Sequence, residues 1–155
     1  MTGIETLTIL LGQNERQRDV AFTAHQRAQT AAEAALGQAE QLRTYRREYE
    51  QRWRLQFCRE GKIELVHCYQ SFMERLTQAV EQQVRVAENA GQQVQHALVT
   101  LRDTELRCAS VRKLIERRQA EQRLSADRRD QKQTDEAASR AAWNRLGSTR
   151  PAPLM

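Results

Sequence analysis

Residues 21–35 read Ala-Phe-Thr-Ala-His-Gln-Arg-Ala-Gln-Thr-Ala-Ala-Glu-Ala-Ala, and the way small side chains recur in them decides the fold. Ala21, Ala24, Ala28, Ala31 and Ala35 follow alternate steps of three and four, the spacing that lines up one stripe of an α-helix as a coiled-coil seam. A later stretch answers it. Val80, Val84, Ala87, Gly91, Val94, Leu98, Leu101, Glu105 and Cys108 keep the same rhythm, with Glu105 the one polar member.

Two helices that fold back on each other pair positions whose numbers add to a constant, and here the constant 122 works. It sets Ala21 against Leu101, Ala24 against Leu98, Ala28 against Val94, Ala31 against Gly91 and Ala35 against Ala87, and further out Leu11 against Val111 and Leu7 against Ile115. Apart from Ala31 against Gly91, the small residues then face equal or larger ones, as knobs-into-holes packing requires. Constants differing by a heptad match nearly as well, so the turn must decide. A constant of 122 centres the turn on Gly61, within Arg59-Glu60-Gly61-Lys62, the best local break in the helical pattern.

The first helix is expected to start at the Thr-x-x-Glu capping box Thr2-Gly3-Ile4-Glu5 and to run to about Phe57. The second should extend from Ile63 to about Trp143, ended by Gly147 and by Pro151 and Pro153. The fold class expected is therefore all-α, an antiparallel two-helix coiled-coil hairpin with its turn near Gly61. One domain would cover residues 1–146, with a disordered tail over 147–155.

Composition agrees with this. Of 155 residues only 39% are hydrophobic and 5% aromatic, with two prolines, which is too little bulky side chain for a globular core but suits long helices of Ala, Glu, Gln, Arg and Leu. Stability should be modest because the seam is narrow. The net charge of +5 is localised, since residues 1–111 carry 14 basic and 14 acidic side chains and residues 112–150 carry 11 and 6. A basic end of this kind attracts acidic partners or remains solvated. Cys58, Cys68 and Cys108 are odd in number and lack Cys-x-x-Cys spacing, which suits a reducing compartment. Ile9-Leu10-Leu11 is too short for a membrane span or a signal-peptide core, so a soluble, cytoplasmic protein is expected.

Near the turn, two further stripes flank the seam: Gln38, Leu42, Tyr45 and Tyr49 on the first helix, and Phe72, Leu76, Ala79 and Gln83 on the second. Their pairs add to 121, so the stripes should lie side by side with their outer atoms exposed. They either thicken the core beside the turn or form a docking surface, for which tyrosine, phenylalanine and leucine are the favoured residues.

Leu42-x-x-Tyr45-x-x-x-Tyr49, then Tyr69-Gln70-x-Phe72-x-x-x-Leu76-x-x-Ala79, resembles the central region of the FliJ family. Asp130-Gln131-Lys132-x-x-Asp135-Glu136-x-Ala138-x-Arg140-Ala141-Ala142 resembles that family's end, in the right order. The resemblance implies a non-enzymatic component of flagellar type III export, a coiled coil similar to the central stalk of rotary ATPases. Its implied partners are the hexameric export ATPase FliI, the export gate FlhA, and export chaperones such as FlgN and FliT. The gate-docking surface implied is the stripe of Gln38, Leu42, Tyr45, Tyr49, Phe72, Leu76, Ala79 and Gln83, although Gln83 stands where the family often has histidine. Arg117, Arg118, Arg123, Arg128, Arg129 and Lys132, beyond the reach of the first helix, are either a solvated tail or an open end that enters the ATPase ring. A virulence-type secretion stalk is the neighbouring alternative.

Other chemistry finds little support. Glu64 and His67 form a single Glu-x-x-His pair, whereas carboxylate-bridged metal sites in bundles need two with added carboxylates. No glycine-rich phosphate loop is present, and no Ser or Cys has an evident base beside it, so no cofactor, metal or catalytic site is expected. A basic coiled coil could bind nucleic acid, but Asp127, Asp130, Asp135 and Glu136 interrupt the basic run and would repel phosphates. Contact with a membrane is expected through partners only.

Overall fold

The computed structural model describes residues 3–59 and 61–148. Two helices account for nearly all of them: α1, Gly3–Arg59, and α2, Ile63–Ser148. They pack against each other as an antiparallel helical hairpin. The break falls where the register placed it, and Lys62 opens α2 by accepting a hydrogen bond at its carbonyl from the Val66 N–H at 3.3 Å. Glu5 and Glu64 lie in the first turns and Arg59 and Arg145 in the last, each complementing the helix dipole.

Both helices run past their expected ends. α1 continues to Arg59, while α2 carries through Gly147 to Ser148, whose hydroxyl donates to the Arg145 carbonyl at 2.9 Å. A glycine in a last turn costs too little to stop a helix. Thr2 of the capping box, Glu60 of the turn and the tail from residue 149 lie outside the described residues.

Contacts divide the chain into two compact units. In the unit Gln13–Cys108, the run 14, 18, 21, 25, 28 and onward in alternate steps to 53 is buried or half-buried on α1. On α2 the run 66, 69, 73, 76 and onward to 108 answers it. Direct contacts fix the register: the rings of Tyr49 and Phe72 are 4.3 Å apart, and those of Trp53 and Tyr69 are 5.5 Å apart. These pairs obey the constant of 121 to 122.

The register stands, but half of the expected seam moves by one residue. Ala21, Ala28 and Ala35 are inward, yet Ala24 and Ala31 are exposed and His25 and Ala32 take their places. On α2, Gln83, Ala90, Ala97 and Thr104 occupy the seam, leaving Val84, Gly91 and Leu98 on its flank and Glu105 exposed. Continuity over many heptads explains the shift. The frame through Ala24 would next need Gln17 and Gln38, and the frame through Glu105 would next need Arg112, whereas the observed frames continue through Ala39 and Val111. Thr104, 8% exposed, is tolerated there because its hydroxyl donates to the Leu101 carbonyl at 2.7 Å.

In the other unit, residues 1–12 and 109–155, Ile4, Leu7 and Leu11 are half-buried, as is Ile115, while Val111 is buried. The Arg118 guanidinium occupies the space where a Cβ at Gly3 would sit. Every described residue from Glu116 onward is exposed.

Gly37 lies in mid-helix on the outer face of α1, where a Cβ would meet nothing within 4 Å. Gly37→Ala should therefore raise unfolding stability by about 0.5–1 kcal/mol, through the loss of backbone freedom in the unfolded chain. Denaturant titration followed by circular dichroism checks this; an unchanged midpoint would mean that backbone freedom at residue 37 does not limit the stability of the hairpin.

Candidate functional site

A coiled-coil seam has two flanks, and near the turn one of them carries an aromatic ridge. Heptad geometry puts Gln38 and Tyr45 of α1 on the same flank as Phe72 and Ala79 of α2. Gln83 ties the arms together at one end of it. Its side-chain amide donates to the Ala35 carbonyl at 3.2 Å and to the Gln38 side-chain oxygen at 3.0 Å. At the other end Tyr49 packs on Phe72, with Tyr45 5.9 Å away along the same helix. The two stripes expected from the sequence thus meet across the arms.

Their exposure is uneven. Gln38 is exposed and Tyr45 is 46% exposed, while Leu42, Tyr49, Phe72, Ala79 and Gln83 are half-buried. The expectation that the outer atoms stay exposed fails for Leu76, which is 7% exposed because it occupies a seam position and fills the core. Leu42 and Tyr49 are also seam positions, so they present only an edge.

The ridge continues into an aromatic cluster at the turn that the sequence reading passed over. Trp53 stacks near Tyr49 at 5.9 Å and Phe57 at 5.4 Å, and Tyr69 meets Trp53 at 5.5 Å and Phe57 edge-on at 5.3 Å. Offset and edge contacts at these distances suit the ring quadrupoles and stiffen the end of the hairpin. The signal was present as aromatics every fourth residue at 45, 49, 53 and 57.

The second expected site, the basic stretch of α2, is exposed throughout: Arg117, Arg118, Arg123, Arg128, Arg129 and Lys132. One face there carries Asp127, Arg128, Lys132 and Asp135 beside Leu124, so its charges alternate in sign. Among the described residues no group of His, Cys, Asp and Glu is placed to hold a metal ion, and no helix is long and apolar enough to cross a membrane. Cys58 and Cys68 are exposed, and Cys108, 1% exposed, is the most buried side chain of the core.

Fold and ridge together define a two-helix antiparallel coiled-coil protein whose chemistry is presented on its flanks. The family model described as the flagellar FliJ protein matches residues 4–147, nearly the whole chain, and the chain belongs to the FliJ family. It is a coiled-coil protein of flagellar protein export. No curated protein and no solved structure matches the chain.

Proposed function

We propose that this chain is an export stalk and escort: it binds the hexameric export ATPase FliI, docks on the export gate FlhA and carries export chaperones such as FlgN and FliT. It hydrolyses nothing itself, binds no nucleic acid, and stays cytoplasmic, reaching the membrane only through its partners. Motility and chemotaxis then depend on it through flagellar export. Membership of the FliJ family over both arms and the overhang is the observation that carries this reading. The ridge of Gln38, Leu42, Tyr45, Tyr49, Phe72, Leu76, Ala79 and Gln83 supplies the gate contact, with Leu76 acting from the core. The exposed residues after Arg117 supply the ATPase contact, with the same basic side chains in that role.

Pull-down of the purified chain with purified ATPase, cytoplasmic gate domain and chaperones tests the proposal. Retention by all three classes, without a salt-dependent shift of DNA, is the expected result. A folded chain that captures none of them would refute it.

A further inference from the structure

The flank opposite the aromatic ridge carries a second apolar stripe. Val84, Gly91 and Leu98 are spaced seven apart on α2, all half-buried and just outside the seam. On the same flank of α1, Leu36 is 60% exposed and Phe22 is 49% exposed. Leu36 and Ala39 face Val84 and Ala87 across a shallow groove rimmed by Glu40, Arg43 and Glu88. Glu33 and Glu81 hold the same rim positions one heptad away, and all four carboxylates are on exposed residues. None of the four takes part in a salt bridge among the described residues.

One heptad beyond Val84 on the same flank, past the residues that line this groove, Gly91 is left uncovered by the hairpin as well. Glycine in a helix interior weakens the helix, yet a Cβ there would meet nothing within 4 Å, so no contact inside the chain requires its absence. The result is a notch between Val84 and Leu98. A notch at heptad spacing between two larger apolar residues accepts a knob from a third helix. The rim decides which helix. Glu33, Glu40, Glu81 and Glu88 outnumber Arg43 there, so a second copy using the same flank in a two-fold pairing would bring two net acidic rims together, which repel, whereas a basic helix is complemented.

We propose that this flank receives an amphipathic helix of a partner protein. Its apolar stripe lies along Leu36, Val84, Gly91 and Leu98, and its Lys or Arg side chains meet Glu33, Glu40, Glu81 and Glu88. The site is separate from the aromatic ridge and goes beyond the export contacts proposed above.

The test uses the full chain and two synthetic helical peptides of several heptads, each with a Leu and Ala stripe, one flanked by Lys and its twin by Glu. Fluorescence anisotropy should show the Lys-flanked peptide binding at least about ten-fold more tightly than its twin. Gly91→Gln, which favours helix and fills the notch, and the surface pair Glu40→Lys with Glu88→Lys should each cost about ten-fold or more, while Tyr45→Ala on the opposite ridge changes nothing. Melting of each variant at or above the parent temperature shows that folding is intact. Equal binding of the two peptides, no binding of either, or indifference to both sets of substitutions would overturn the proposal. So would self-association of the full chain in sedimentation equilibrium that Gly91→Gln abolishes, because the face would then belong to a second copy.

Discussion

Tyr45→Ala should lower capture of the export gate by about 30-fold, the effect of losing a hot-spot contact of about 2 kcal/mol, and leave the hairpin folded. The argument rests on where the ring sits. Tyr45 is 46% exposed on the flank and touches the rest of the hairpin through Tyr49 at 5.9 Å, so its removal takes away outward-facing aromatic area and little of the core. Leu76→Ala is the matched control. That side chain is 7% exposed in the seam, and truncating it should cost about 2–4 kcal/mol of stability by leaving a cavity. Tyr49→Ala should fall between them, because it removes both an edge of the ridge and the 4.3 Å packing on Phe72. Capture assays beside thermal unfolding separate the cases. Full capture by a folded Tyr45→Ala protein would mean that the ridge is not where the gate docks.

The hairpin was legible because two different signals agreed: heptad spacing gave a family of registers, and the Gly61 break selected one. What the sequence did not settle was the exact frame of each seam. Ala21, Ala28 and Ala35 belong equally to a frame through Ala24 and Ala31 or to one through His25 and Ala32. Local hydrophobicity favours the first, yet the burial of neighbouring heptads imposes the second, and a polar His25 is carried half-buried in the seam as a consequence. The same choice on α2 turned Val84, Gly91 and Leu98 from expected core into a flank. The burial of Leu76, against its expected exposure, has a related cause. A stripe placed beside a seam that is one residue out of frame still contains true seam positions, so Leu76 is core while Tyr45 lies outside. Trp53 and Phe57 lie beyond the four-residue stripes, and Tyr69 stands out in the sequence only through the family resemblance, although the three rings join the same cluster.

Truncation after Arg117 should abolish measurable association with the ATPase ring, a loss of at least about 100-fold if the overhang supplies a further 3 kcal/mol of contact, and should spare gate capture. The cut is clean on structural grounds. Every described residue from Glu116 onward is exposed, and Ile4, Leu7, Val111 and Ile115, which carry the packing of that unit, all remain. Arg118, whose guanidinium lies at Gly3, is lost, but an arginine at the positive end of the α1 dipole adds little to the helix. The melting temperature of the truncate should therefore stay close to that of the full chain. Two finer variants divide the overhang by mechanism. Arg123, Arg128, Arg129 and Lys132 changed together to Gln should slow association and flatten its dependence on salt, because exposed charges act over about 10 Å at 0.1 M ionic strength. Trp143, 77% exposed, offers an anchor of the kind that fills pockets at interfaces, so Trp143→Ala should instead speed dissociation. Stopped-flow mixing with the purified hexamer reads both rates, and ATPase stimulation by the truncate equal to that of the full chain would show that the open end plays no part.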